Sequence, residues 1–153
     1  MTEKNFCNGM DSMHFAELIF LSGLVFNKTL MWITFSCAYD FGYLVKILNQ
    51  KNLLNCLEDF LNNLNWLEDF LNNVEVLFGK NVIDMKHMMK CCLERVATTL
   101  NVSRVVGKSH QAESDSLLIS QTFRKMIETC IINKKVLDLK DYAGVLFGLE
   151  ILV

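Results

Sequence analysis

The chain has 153 residues, 52% apolar and 21% charged, which excludes a chain disordered by composition and lets one domain bury roughly two thirds of the surface its unfolded form exposes. A net charge of −2, with no basic run longer than Lys134-Lys135, excludes a general electrostatic attraction for nucleic acid: no DNA partner is expected, and any RNA contact is local. Six cysteines without C-x2-C spacing, and an opening Met-Thr-Glu-Lys-Asn without a basic-then-apolar signal, argue for reduced intracellular thiols and against a zinc cluster or secretion.

The first predicted element is a short helix over 13–23, with Phe15, Leu18, Ile19 and Leu21 at helical spacing and Gly23 placed to end it. The apolar stretch from Leu18 is interrupted by Asn27 and Lys28, so no membrane span is expected. Leu30 to Ser36 is short and rich in aromatic and β-branched residues, the composition of a buried strand. A helical pattern resumes from Phe41 to Leu48, which sets Asp40 at a strand-to-helix junction.

Residues 57–63 and 67–73 are a tandem copy, Leu-Glu-Asp-Phe-Leu-Asn-Asn twice. A ten-residue shift is not a whole number of turns at about 3.6 residues each, so one straight helix cannot present both copies on one face. The expected form is a local duplication with a bent or broken helix between the copies, since repeat architectures need longer periods and about three units. Val82-Ile83 reads as a short buried strand. Asp84 to Leu100 reads as one helix, with Met85, Met88, Met89, Cys92, Leu93, Val96 and Leu100 inward and the methionines filling core. Ser114 is placed to cap a further helix to about Cys130, with Leu117, Leu118, Phe123, Met126 and Ile127 as its inner face. Gly144 and Gly148, in the last segment from Val136 to Leu149, suggest close packing and match no nucleotide-binding pattern. Proline is absent, which removes one common source of fixed loop geometry.

Two segments carry chemistry: Tyr39-Asp40-Phe-Gly-Tyr-Leu, and His110-Gln-Ala-Glu-Ser-Asp115-Ser-Leu-Leu. Taken alone, Asp40 and Asp115 are ordinary first-turn carboxylates favoured by a helix dipole, and His14 and His87 are structural by default. The neighbouring text adds specificity, because His14-Phe-Ala-Glu-Leu, Trp32-Ile-Thr-Phe, Asp84-Met-Lys-His-Met-Met, Val106-Gly-Lys and Tyr142-Ala-Gly-Val-Leu-Phe-Gly-Leu recur in order. With these, residues from about 10 to 150 resemble the C-terminal part of the Caf/Pop-type poly(A) deadenylases of the Ccr-Not complex, DEDD-type 3′-5′ exoribonucleases.

The resemblance implies a single, partial domain over 1–153: an α/β, ribonuclease-H-like exonuclease fold, truncated at its N-terminal side and dominated by helices. It implies that Asp40 and Asp115 ligate a divalent metal, Mg or Mn, and that His110 is the general base. Such a site works with two ions about 3.5–4 Å apart that generate the nucleophile and stabilise charge on both oxygens of the displacement. The three side chains are expected to converge. The implied substrate is the mRNA poly(A) tail, the implied partners are the Ccr-Not scaffold and its partner nuclease, and the implied location is nucleus and cytoplasm.

The chain departs from the family pattern in its acidic residues. None of its aspartates, at 11, 40, 59, 69, 84, 115, 138 and 141, is followed two positions later by glutamate, so the family's Asp-x-Glu pair is absent. Two aspartates neutralise two dications poorly, and the metal is expected to bind weakly. Glu113 stands where the family has glycine, and Ser36 and Ala38 stand where it has histidine and glycine; Glu113 is a poor substitute ligand without a second carboxylate. The absent strands would leave the Trp32 strand with an open edge prone to self-association. Two functions follow: a metal-dependent exonuclease that shortens poly(A) tails, or a weak or inactive truncated relative acting through protein–protein contacts. An unrelated helical interaction module is disfavoured by the ordered motifs.

Overall fold

The computed structural model describes residues 9–49, 66–132 and 138–149. The chain divides into two compact units, Met1–Leu30 with Tyr39–Gly79, and Met31–Ala38 with Lys80–Val153. The first copy of the duplication, 57–63, and the expected break after it lie outside the described residues.

In the first unit, helix α1 spans Ser12–Leu21. Asp11 starts it, its carboxylate accepting the N–H groups of Met13 and His14 at 3.0 and 3.3 Å, which satisfies two donors that a helix start leaves unpaired. Ser22 closes it, and Gly23 follows at φ +72°, as the sequence led one to expect. The buried side is narrower than its spacing suggested: Ala16 is enclosed, Phe15 and Ile19 are half-buried, and Leu18 and Leu21 are exposed. Helix α2 spans Ala38–Asn49 and buries Phe41, Val45 and Leu48, one stripe at i, i+4 and i+7. Helix α3, Trp66–Phe78, holds the second copy of the repeat and buries Val74, Leu77 and Phe78. Phe41 and Phe78 meet with ring centroids 4.7 Å apart, and the Asn49 amide donates to Asn73 Oδ1 at 3.0 Å.

The second unit is built on a parallel pair. Strand β1, Trp32–Thr34, lies beside β2, Val82–Asp84, in the register Trp32↔Val82, Ile33↔Ile83, Thr34↔Asp84. β2 is fully buried, whereas β1 is half-buried and pairs on one side alone among the described residues. The far edge of β2 is used: Gly144, at φ +77°, donates its N–H to Val82 O at 2.9 Å. Gly144 thus serves a backbone turn as much as tight packing; nothing lies within 4 Å of where a Cβ on Gly148 would stand.

The helix expected over 84–100 is two helices, α4 (Met85–Met89) and α5 (Leu93–Thr99). Lys90 enters the left-handed region at φ 53° and Cys92 is extended, so the chain turns between them. Apolar residues keep the same period on both sides of the turn, and periodicity could not reveal it. Met85 is enclosed while Met88 and Met89 are half-buried. Helix α6 spans Ala112–Ile132. Its innermost stripe is Ser114, Leu118, Thr122 and Met126, every fourth residue; of the expected face, Leu117 is exposed and Phe123 and Ile127 are half-buried. Leu118 packs with Leu93 and Ala97 of α5, flanked by Phe35, Val102 and Ile119. A 3₁₀ turn, Leu139–Tyr142, is the last helical element among the described residues.

At the centre of this unit lies Asp84, a fully buried carboxylate. It accepts the N–H groups of Ser36 (2.8 Å), Cys37 (3.3 Å), Lys86 (3.0 Å) and Phe147 (3.1 Å). One side chain therefore holds the turn after β1, the start of α4 and the C-terminal segment.

Candidate functional site

Asp40 lies in the first turn of α2, because the helix begins at Ala38, two residues before the expected junction. Its carboxylate is exposed and makes no hydrogen bond or ion pair among the described residues. Asp40 belongs to the first unit, and His110 and Asp115 belong to the second.

The second unit brings His110 and Asp115 together at the start of α6. The loop 104–111 folds back over this helix end through its own hydrogen bonds. Gln111 Oε1 accepts the Lys108 N–H at 2.7 Å, and Ser114 Oγ donates to Val106 O at 2.6 Å. Ser114, expected as the cap, instead sits inside the first turn as an anchor for the loop. Gly107 makes the turn possible at φ +70°: a Cβ there would lie 2.7 Å from Gln111 Oε1 and 2.8 Å from Ser114 Cβ. His110 has φ 65°, a backbone state that histidine tolerates better than most residues. Its N–H donates to Asp115 Oδ2 at 2.9 Å, so the contact is through backbone, and its imidazole is left on an exposed residue.

Asp115 has a second, cationic partner. Arg104 Nη2 lies 2.7 Å from Asp115 Oδ1 and 2.9 Å from Glu94 Oε1. The contact with Oδ1, an oxygen withdrawn from solvent, is an ion pair by distance without the alignment of a hydrogen bond. Nη1 of the same guanidinium donates to Ser114 Oγ at 2.5 Å and to Lys108 O at 3.4 Å. Glu94 also accepts the Ser109 hydroxyl at 2.8 Å. That hydroxyl, with the guanidinium behind it, holds the Glu94 carboxyl below its usual value. Arg104 is raised above its ordinary value: loss of solvent opposes the charge, and the two carboxylates beside it, Asp115 and Glu94, outweigh that loss.

These neighbours fit a divalent metal poorly. Both oxygens of Asp115 already have partners, and no group of three His, Cys, Asp or Glu side chains among the described residues is placed to hold an ion. The arrangement does fasten a loop onto a helix start. Of the residues that do this, sequence reasoning named Val106-Gly-Lys only as a motif and missed Arg104, Glu94 and Ser109. Their partnership spans up to 15 residues of chain, which no local pattern encodes.

No protein-family model matches the chain. It is 42% identical over 154 residues to the Arabidopsis thaliana protein named probable CCR4-associated factor 1 homolog 7, covering 97% of this chain and 50% of that protein. It is 38% identical to homolog 10 of the same plant, again over 97% and 50%. Against the Schizosaccharomyces pombe poly(A) ribonuclease pop2 it is 36% identical over 121 residues, 75% of this chain and 32% of that one. Among solved structures it matches a chain in the structure of the yeast NOT1 MIF4G domain co-crystallized with CAF1, with TM-score 0.75 and 26% identity over 95% of this chain and 56% of the other. The chain thus spans about half the length of the curated Arabidopsis relatives. The structural match bears out an α/β, helix-rich part of the ribonuclease-H-like nuclease fold carrying a small parallel sheet.

Proposed function

We propose, from this chain's homology to CCR4-associated factor 1 and Pop2 proteins at 36 to 42% identity, that it is a Ccr-Not deadenylase relative with weak or no catalysis of its own. The observation that carries the second half of this reading is the state of Asp115, whose carboxylate is engaged by Arg104 and by the His110 N–H. In the family's chemistry, removal of adenylates from the 3′ end of mRNA, Asp40 and Asp115 correspond to the metal ligands and His110 to the general base. Mg or Mn is the cofactor and is weakly held here. These 153 residues contain no Asp-x-Glu pair, so they offer less negative charge for two dications, and His110 alone supplies about 10² to 10⁴-fold. The function that remains is contact with the Ccr-Not scaffold and its partner nuclease, in nucleus and cytoplasm. A solved relative of the same fold was crystallised with the NOT1 MIF4G domain, and this supports the scaffold as partner.

The test is a tail-shortening assay on 5′-labelled RNA bearing an adenylate tail, with Mg²⁺ or Mn²⁺ supplied. Little or no shortening is expected. Robust metal-dependent shortening that disappears in Asp115→Asn would restore the active-enzyme reading, whereas equal residual activity in both proteins identifies a contaminating nuclease.

A further inference from the structure

We infer that the resident cation of Asp115 is the guanidinium of Arg104, and that the pair is a fastener closing the 104–111 loop onto α6 in the position where the family reading puts a metal ion. Arg104 is largely enclosed, with 17% of its side chain exposed, and Asp115 shows 27%. The guanidinium reaches four partners from three stretches of chain: Glu94 on α5, Lys108 O in the loop, and Ser114 and Asp115 on α6. A planar fork with five N–H donors suits such multidentate binding, and no ammonium matches it. Asp115 Oδ1 is withdrawn from solvent with Arg104 Nη2 2.7 Å away, so an ion ligated by that oxygen would meet the guanidinium.

Charge arithmetic points the same way. Glu94 and Asp115 together carry two negative charges and share one guanidinium, so the cluster is already partly neutralised. A dication beside the guanidinium would meet a like charge at close range, and moving Arg104 away would leave Glu94 and Ser114 without it. The metal-free cluster is therefore the ground state of this chain, and Asp115 contributes to folding rather than to ion binding. This rests on the geometry of the second unit and not on the deadenylase reading.

Thermal melting separates the two ideas without any RNA. The intact chain, Asp115→Asn, Arg104→Gln and the double variant are melted in chelator and again with millimolar Mn²⁺, and bound Mn²⁺ is counted from the resonance of the free ion. Each single variant is expected to melt a few degrees below the intact chain in chelator. The double variant should melt no lower than the worse single, because both remove the same ion pair, and Mn²⁺ should leave the intact chain unmoved. An intact chain that melts with Asp115→Asn in chelator overturns the inference. So does Mn²⁺ that binds the intact chain stoichiometrically and raises its midpoint in an Asp115-dependent way. If Arg104→Gln yields no folded protein, Arg104→Lys, which keeps the charge and loses the fork, takes its place and is expected to melt low as well; an unchanged midpoint there counts against the inference.

Discussion

At the scale of single residues, Asp84 is the most consequential side chain outside the candidate site. Its two oxygens receive four backbone N–H groups in a fully buried setting, and a carboxylate, which only accepts, suits four donors. Asp84→Asn keeps the shape but turns one acceptor into a donor facing N–H groups. Stranding a buried donor costs about 1–3 kcal/mol, and at least one becomes stranded. Urea denaturation is expected to show a loss of about 2–4 kcal/mol, with hydrogen exchange rising first at Ser36 and Cys37. Nothing in the composition marked Asp84 apart from the other aspartates: its local pattern was that of a helix start, which is part of its role. The long-range part, reaching residues 47 to 63 positions away, leaves no trace in periodicity.

At the scale of elements, the sequence was most legible where one physical cue acted alone. Gly23 after a short amphipathic run, the β-branched Trp32 segment and the helical pattern from Phe41 to Leu48 each led to an element that formed there. It was least legible where tertiary contacts chose between equal local options: the helix over 84–100 breaks at Lys90, and α6 turns Ser114, Leu118, Thr122 and Met126 inward. The candidate site shows both cases. His110 and Asp115 were readable as motif residues, but the loop that binds them depends on Gly107, whose mirror-side backbone and crowded Cβ position come from the fold. Gly107→Ala has to accept a left-handed φ and a clash with Gln111 and Ser114. The expected loss is about 2–4 kcal/mol. A calorimetric midpoint unchanged from the parent would show that the loop is not held closed in this way.

At the scale of the whole molecule, stability should fall at both ends of the pH range, for reasons that can be separated. On the acid side, Glu94 is held below the carboxyl value of 4.5 by the Ser109 hydroxyl and the Arg104 guanidinium, and Glu128 by Arg124 and Lys125. A depressed folded value means that the unfolded chain binds protons first, so this stabilisation is complete above about pH 4.5 and is lost as pH falls through the folded values. Both groups are solvent-exposed, and salt should weaken the effect. On the alkaline side, burial is the largest cause that pushes the Cys37 thiol from 9.0 up to about 12, with the neighbouring Asp84 charge adding to it. Here the folded chain keeps a proton that the unfolded chain releases, so stability declines as pH rises above 9, with a slope of at most about 1.4 kcal/mol per pH unit from this group. Cys37→Ala removes the titration but also the contact between the thiol and Thr34 Oγ1. Its curve should therefore lie below the parent's at pH 7 and run flatter between pH 9 and 11. Urea midpoints measured at half-unit intervals give both slopes, and parallel alkaline limbs in parent and variant would show that the thiol is not the group responsible.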